Sequence, residues 1–226
     1  MSHLPILPVL LPMIVGAVLL LLRGSMDFKR GVGLIATFLQ IPLSILLLLR
    51  ASEGTLVYAL GNWMPPFGIV LVVDRLSALM LLITAVLAFC ALLYAIRGDD
   101  AAGRNFHPLF QFQLMGITGA FLTGDLFNLF VFFEILLISS YALLLHGAGS
   151  ARVRAGLHYV LLNLTGSALF LIAVGTLYGV LGTLNMADLA VRVGQLSAED
   201  QPLVGAAGML LLVVFGLKTA IFPLYF

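Results

Sequence analysis

The chain has 226 residues, of which 62% are hydrophobic and only 9% are charged. Soluble domains carry about 25% charged residues, so this composition excludes an ordinary soluble domain and a disordered chain. Eleven basic residues are balanced by ten acidic ones. The chain therefore has no excess of positive charge that could attract phosphate, which excludes nucleic acid as a partner. The single cysteine, Cys90, excludes a disulfide framework and a multi-cysteine metal site. The class that remains is a membrane protein with several spans.

Seven apolar segments approach the roughly 20 helical residues that a bilayer core requires. The first lacks a preceding basic segment and a small-residue cleavage site, so we predict a retained helix, bent at Pro8 and Pro12. We therefore predict an all-α, polytopic bundle of about seven transmembrane helices, within one integral membrane domain in the lipid bilayer. In chain order the segments cover residues 4–22, 31–49, 76–96, 106–123, 126–145, 159–184 and 203–226.

Two connections carry structure of their own. Residues 56–60 and 69–73 are short β-prone runs separated by turn residues, which predicts a small surface β-hairpin in residues 50–75. Trp63 in its turn suits the lipid headgroup zone, although an ordinary extracellular loop is the alternative. Residues 186–196 have helical apolar spacing, with Asp188 and Arg192 paired on the other face. We expect this amphipathic helix to lie along the membrane interface.

The distribution of lysine and arginine predicts the orientation. When the connections are assigned to alternating sides, seven basic residues fall on one side and three on the other. Cytoplasmic loops carry the excess of basic residues. We therefore expect the N-terminus outside the cell and the connections at 97–108 and 146–154 inside.

Two charged residues interrupt otherwise apolar segments, namely Glu134 and Lys218. A charge near the centre of a membrane helix costs about 2.5–3.5 kcal/mol, so its default interpretation is functional. The two groups could keep each other charged and act as a proton or ion switch; the alternative is a static ion pair that only fixes helix packing. Pro223, five residues after Lys218, predicts that the seventh helix is discontinuous.

Other polar residues in these segments are secondary candidates for lining an ion pathway. Serine and asparagine in membrane helices often serve only packing, which is the alternative for them. The histidines near the cytoplasmic interface, His107, His146 and His158, are interpreted first as interfacial or capping residues. Gly175 and Gly179 predict a close helix contact. The candidates for pathway lining are Tyr141, Asn163, Thr165, Ser167 and His158.

The chain shows no Walker sequence, no G-x-G-x-x-G and no C-x-x-C pattern. We therefore predict no cofactor, no metal ion and no catalytic residue. One hypothesis for the function is a membrane scaffold that transports no ion; two transport functions follow from the resemblance described next.

Three stretches are similar to the antiporter-like family, which comprises subunits of Mrp-type cation/proton antiporters and the proton-pumping membrane subunits of respiratory complex I. Residues 123–143, which include Glu134, resemble the family's fifth helix. Residues 215–226, which include Lys218, resemble its broken seventh helix. Residues 61–69 and 73–77 resemble its hairpin and the entry to its third helix. The resemblance covers the whole chain and is strongest to the D-type member of the Mrp antiporters.

The resemblance implies a fold of about fourteen helices with two inverted five-helix repeats. Residues 1–108 then hold the first three helices, and residues 109–226 begin the first repeat. Glu134 and Lys218 match the pair that couples proton movement in the family. Because the second repeat is missing, we interpret the sequence as an N-terminal fragment of a longer subunit.

The implied function is a subunit of a multi-subunit secondary antiporter in the bacterial inner membrane, not an enzyme. It would exchange cytoplasmic Na⁺ or K⁺ for external protons together with partner subunits. The alternative is a non-redox, proton-translocating subunit of a complex I-like oxidoreductase or a membrane-bound hydrogenase. Glu134 and Lys218 do not separate these two classes, because both use such a pair.

Overall fold

A computed structural model describes residues 3–22, 24–63, 66–147 and 149–223. Within these residues the chain folds as a helical bundle with one two-stranded antiparallel sheet. Three short 3₁₀ turns cover Leu4–Ile6, Leu60–Asn62 and Asp99–Ala102. The helices and strands are α1 (Leu7–Leu21), α2 (Met26–Glu53), β1 (Leu56–Ala59), β2 (Val70–Val73), α3 (Arg75–Ala95), α4 (Phe106–Leu122), α5 (Leu126–Leu144), α6 (Ser150–Leu181), α7 (Met186–Val193) and α8 (Gln201–Lys218).

Six of the described helices are long and apolar enough to cross a membrane: α1 with its preceding turn, α2, α3, α5, α6 and α8. Helix α4 has 17 residues and would span about 26 Å at 1.5 Å per residue. It packs against both α1 and α5 inside the bundle. The predicted all-α membrane bundle is therefore confirmed, with α4 as a slightly shorter helix in its interior.

Helices α2 and α6 begin several residues before the apolar segments predicted from sequence. Helix α2 starts at Met26, where the Ser25 hydroxyl accepts a hydrogen bond from the Phe28 amide at 3.3 Å. Helix α6 starts at Ser150 and runs for 32 residues. Polar first turns extend a helix without lengthening its apolar segment, so hydropathy alone underestimates both helices.

The predicted hairpin is confirmed. Its strands pair in antiparallel register from Leu56 with Val73 to Ala59 with Val70. The Gly124 amide, between α4 and α5, donates to the Val70 carbonyl at 2.9 Å. The hairpin thus covers the ends of α4 and α5. Residues 64 and 65 of its predicted turn lie outside the described residues.

Hydrogen bonds between connections define two ends of the bundle. At the hairpin end, Tyr58 bonds His3 at 2.9 Å, and the Met186 amide donates to the Gly124 carbonyl at 2.8 Å. At the opposite end, which we call the Asp100 end, Arg30 of α2 bonds Asp100 between α3 and α4. Successive connections therefore lie at opposite ends of the bundle, as was assumed when the basic residues were counted to predict the orientation.

The amphipathic helix predicted between the sixth and seventh spans is α7. The Asn185 side chain caps it by accepting hydrogen bonds from two amides at 3.2 Å, and Asp188 pairs with Arg192 at 3.1 Å. That ion pair holds the pKa of the Asp188 carboxyl below its usual range. Leu189 on the apolar face packs against Leu177 and other residues of α6. The apolar face of α7 therefore covers neighbouring helices.

Neighbouring helices supply the hydrogen bond that a proline inside α1 removes. Pro12 has no N–H, so the Pro8 carbonyl one turn earlier has no intrahelical partner. Gln40 of α2 donates to this carbonyl at 2.9 Å, and Thr118 of α4 donates to it at 3.1 Å. Two buried polar side chains thus tie α1 to α2 and α4.

A close helix contact lies where the sequence did not predict it. A Cβ at Gly116 of α4 would be 2.7 Å from the Leu136 backbone nitrogen, and one at Gly119 would be 2.1 Å from the Phe132 ring. Helices α4 and α5 therefore depend on these glycines for their approach. Nothing lies within 4 Å of a Cβ at Gly175 or Gly179, so the close contact predicted there is not made within the described part of the chain.

Candidate functional site

The two intramembrane charges predicted from sequence lie on α5 and α8, and α6 packs between their side chains. Helix α5 is fixed at its start by Asp125, whose carboxylate accepts from the Asn128 amide at 2.9 Å. Burial raises the pKa of this carboxyl above its usual value. Helix α8 runs from Gln201 and ends at Lys218 itself. The packing of these three helices brings Glu134 and Lys218 to one place.

A serine hydroxyl joins the two charged groups. Ser167 of α6 is 5% exposed, and its Oγ donates to Oε1 of Glu134 at 2.5 Å. The Lys218 Nζ donates to the same Oγ at 3.4 Å. Glu134 and Lys218 are each partly buried. The three residues form a continuous acid–hydroxyl–amine chain across three helices.

Glu134 and Lys218 form no direct ion pair among the contacts of the described residues. The sequence suggested a pair in which each charge stabilises the other, and the structure inserts Ser167 between them. A hydroxyl both donates and accepts, so it satisfies the carboxylate and the ammonium at once. Ser167, which was only one of several lining candidates, is thus the central residue of the cluster.

Aromatic rings form one wall of the cluster. The Lys218 Nζ lies 5.4 Å from the centroid of the Phe133 ring, within the range of a cation–π contact. Phe170, which is fully buried, contacts Phe133 and Phe215 with near-perpendicular rings. This wall is apolar and closes one side of the cluster, so polar access must come from elsewhere.

A cavity of about 360 Å³ opens beside Lys218. Its polar lining includes the Lys218 and Asn163 side chains, and the remainder is largely apolar and aromatic. Such a volume can hold several water molecules, each of which occupies about 30 Å³ in the liquid. The lining residues are Phe133, Leu136, Leu137, Tyr159, Leu162, Asn163, Phe215, Leu217, Lys218, Thr219 and Ala220.

Two further predicted residues lie near this cluster. Asn163 is 8% exposed, lines the cavity, and donates to the Tyr159 carbonyl of its own helix at 2.9 Å. Tyr141 stacks edge-on against Tyr159, with ring centroids 5.5 Å apart. The Tyr141 hydroxyl is buried and has no hydrogen-bond partner among the described residues.

The structure does not bring the other two predicted residues to the cluster. Thr165 is exposed, and its hydroxyl donates to the Leu161 carbonyl of its own helix at 2.9 Å. His158 is exposed beside Ser150 and Arg154, at the first turns of α6. Helical periodicity places Thr165 and Ser167 on different faces, which a list of polar residues does not distinguish.

The chain leaves the helical path directly after Lys218. Ala220 has a positive φ of 50°, and the Ile221 amide donates to the Gly216 carbonyl at 2.9 Å. The break predicted from Pro223 therefore falls at the charged residue. Residues 219–223 form no second helical part, and the residues after Pro223 lie outside the described part of the chain.

A second polar cluster lies at the Asp100 end, and the sequence did not predict it. Asp100 is fully buried and accepts from Arg30 at 2.7 and 2.9 Å and from His107 at 3.0 Å. Buried Lys29 donates to the Arg104 carbonyl at 3.1 Å. His107 was interpreted as interfacial or capping, yet it is 1% exposed. The available signal was helical spacing, because His107 and Gln111 are four residues apart on one face of α4.

The fold and the site together define a multi-pass membrane protein with a partly buried cluster of ionisable groups between its helices. Residues 123–226 match the family described as NADH:quinone oxidoreductase/Mrp antiporter, transmembrane region. The chain is 50% identical to the D subunit of a probable K⁺/H⁺ antiporter of Rhizobium meliloti, over all of this chain and 43% of that protein. It is 42% identical to the D subunit of an Na⁺/H⁺ antiporter of Alkalihalophilus pseudofirmus, over all of this chain and 46% of that protein.

Solved structures give the same result. The Mrp complex from Dietzia matches with a TM-score of 0.89 at 31% identity, over all of this chain and 42% of that chain. An archaeal membrane-bound sulfane sulfur reductase also matches with a TM-score of 0.89, at 32% identity, over 99% of this chain and 46% of that chain. The chain belongs to the antiporter-like family of membrane subunits that Mrp antiporters share with complex I. It spans less than half the length of these relatives.

Proposed function

We propose that the chain forms part of a subunit of a monovalent cation/proton antiporter, in which Glu134, Ser167 and Lys218 carry the proton. The observation that supports this most strongly is the contact of Ser167 with both charged groups. The relatives named as D subunits of K⁺/H⁺ and Na⁺/H⁺ antiporters support the exchange of either cation.

The chemistry of the cluster suits proton transfer. In the observed arrangement the ammonium donates to the hydroxyl, and the hydroxyl donates to the carboxylate. When the hydroxyl passes its proton to Glu134 and receives one from Lys218, a neutral acid and a neutral amine result and the serine is restored. Both neutral products are less unfavourable than charges in a membrane interior, so a change in local hydration or field can shift this equilibrium.

A second candidate function is proton translocation driven by a redox partner. The match to a chain of the sulfane sulfur reductase complex supports this second function to the same degree that the match to the Mrp complex supports antiport. The two proposals differ in what drives the flux. Addition of Na⁺ or K⁺ to energised inverted vesicles that carry the full complex releases protons only in the antiporter. Flux that requires electron transfer instead identifies the redox-driven protein.

Replacement of the bridging hydroxyl tests the cluster directly. We expect Ser167→Ala, in the full subunit and assembled complex, to lower cation-driven proton flux about ten- to a hundredfold. The reason is the loss of hydrogen bonds to two charged groups, each worth about 1.5–3 kcal/mol. Thr165→Ala on the same helix is the matched control, because among the described residues its hydroxyl bonds only the Leu161 carbonyl of its own helix. Equal flux in the two variants would contradict the role of Ser167.

We propose further that the subunit works with other subunits in a bacterial inner membrane, with the hairpin end outside and the Asp100 end in the cytoplasm. The basic residues of the sequence support this orientation, because seven belong to connections of the Asp100 end and three to the hairpin end. The solved structures that match are of multi-subunit complexes, which supports partner subunits.

Cysteine labelling tests the orientation. In a Cys90→Ser background, we expect Ser150→Cys to react with a membrane-impermeant maleimide only after the membrane is permeabilised. The control is Glu199→Cys at the hairpin end, where residue 199 is exposed, and which should react in intact cells. The reverse pattern would mean that the N-terminus lies in the cytoplasm.

A further inference from the structure

The first turns of α6 carry a basic groove that the Glu134 cluster does not use. Ser150, Arg154 and His158 follow one another at intervals of four residues, so they lie in one column on the helix surface. All three are exposed, and together with Ala155 they line an open groove of about 560 Å³. This α6 groove therefore presents a hydroxyl, a guanidinium and an imidazole side by side.

The charge of Arg154 is not neutralised within the part of the chain that the structure describes. Neither Arg154 nor His158 forms a side-chain hydrogen bond or an ion pair with another described residue. The Asp100 end as a whole is basic, because its connections hold seven basic residues against three acidic ones. Two of those acids, Asp27 and Asp100, already pair with Arg30. The groove thus attracts an anion from outside the chain.

The length of α6 places this groove among lipid headgroups. The helix has 32 residues and is about 48 Å long, whereas the hydrocarbon core of a bilayer is about 30 Å thick. Its uncharged part, residues 159–181, accounts for about 34 Å and fills the core. The turns from Ser150 to His158 extend about 13 Å beyond it. The anions of that layer are the phosphate groups of phospholipids.

An apolar surface continues from the groove toward the centre of the membrane. Leu157 is 61% exposed and Leu161 is 55% exposed. Each lies three residues after a member of the basic column, so the two leucines adjoin Arg154 and His158 on successive turns. A molecule with an anionic head and an acyl chain matches this succession of surfaces, whereas a free anion would use only the groove.

We propose that the α6 groove binds the phosphate of an anionic phospholipid, whose acyl chain lies along Leu157 and Leu161. The planar guanidinium of Arg154 donates two parallel hydrogen bonds to a phosphate, and His158 offers an N–H in either protonation state. An anionic lipid is favoured over a zwitterionic one, because the cationic group of the latter would add positive charge to a basic end. Helical periodicity turns this column away from Ser167, so the lipid site does not depend on what drives proton flux.

Photocrosslinking in the full assembled complex tests the proposal. The complex is reconstituted in phosphatidylcholine vesicles with a subsaturating amount of phosphatidylglycerol that carries a diazirine in its acyl chain. We expect label on peptides that contain Leu157 or Leu161, and at least about tenfold less label from the same probe built on phosphatidylcholine. An excess of unlabelled phosphatidylglycerol should remove the label, and inorganic phosphate should not.

Variants of the arginine connect the labelling to the basic column. Arg154→Gln should lower the yield at least about tenfold, because a hydrogen bond between charged groups changes an equilibrium by that factor or more. Arg154→Lys keeps the charge but not the planar fork, so it should retain part of the yield. The matched control is Arg97→Gln, which removes an exposed arginine from another connection of the same end and should leave the yield unchanged.

Equal labelling by the two probes, or full labelling of an assembled Arg154→Gln complex, would identify ordinary lipid contact and overturn the proposal. Loss of the label on addition of inorganic phosphate would overturn it in favour of a free anion. Absence of label at Leu157 and Leu161, while other helices of the complex are labelled, would mean that protein covers this face and would overturn it as well.

Discussion

Replacement of Glu134 by glutamine should lower cation-driven proton flux in the assembled complex by at least about a hundredfold. This is the lower bound for the loss of a positioned acid or base. Glutamine keeps the shape and can still accept a hydrogen bond from Ser167, but it cannot take up a proton. Glu134→Asp keeps the titratable group and withdraws it by one methylene from the 2.5 Å contact, so partial activity is expected. Flux is measured in inverted vesicles on addition of Na⁺ or K⁺.

Lys218→Ala should be as harmful, since it removes the amine that passes a proton through Ser167 to Glu134, and alanine cannot titrate. The double variant Glu134→Ala with Lys218→Ala should be no worse than the worse single variant, because groups that act as a unit are not additive. Protein level and complex assembly serve as controls. Full flux in an assembled Glu134→Gln complex would contradict the proposed coupling and favour a non-transporting scaffold.

Asp100→Asn should cause the second large effect, on stability. The side chain is fully buried and holds both Arg30 and His107. Because Arg30 can still reach solvent, we expect a loss of about 3 kcal/mol in the free energy of unfolding, the lower end of the range for a broken buried ion pair. The matched control is Asp27→Asn, which changes the other partner of Arg30, 3.5 Å away and 92% exposed, and should have little effect.

The effect of Asp100→Asn should depend on pH in a defined direction. The hydrogen bonds from Arg30 lower the pKa of Asp100 from its ordinary value of 3.8. A lowered carboxyl pKa stabilises the folded state above the ordinary value, and this contribution disappears as the pH falls through the folded-state pKa. The difference in Tm between the native complex and Asp100→Asn should therefore be constant near neutral pH and shrink below pH 3.8. A difference that grows on acidification would contradict this account.

Much of the molecule follows from the sequence alone. Apolar segments of membrane length determine where the helices lie, because a bilayer excludes unsatisfied backbone groups. The hairpin, the cap at Asn185 and the pair of Asp188 with Arg192 are local features, set by residues close in the chain. Glu134 and Lys218 are recognisable because a charge within an apolar segment is costly and therefore rare.

Only the tertiary structure decided which polar groups meet. Ser167 and Thr165 look equivalent in the sequence, yet one contacts both charged groups and the other faces outward. The burial of His107 and Asp100 also depends on α2, whose Arg30 is 70 residues from Asp100 in the chain. Periodicity fixes the faces of a helix, but the partner of each face is set by the packing of distant helices. That packing depends on small contacts such as Gly116 against α5, which hydropathy does not register.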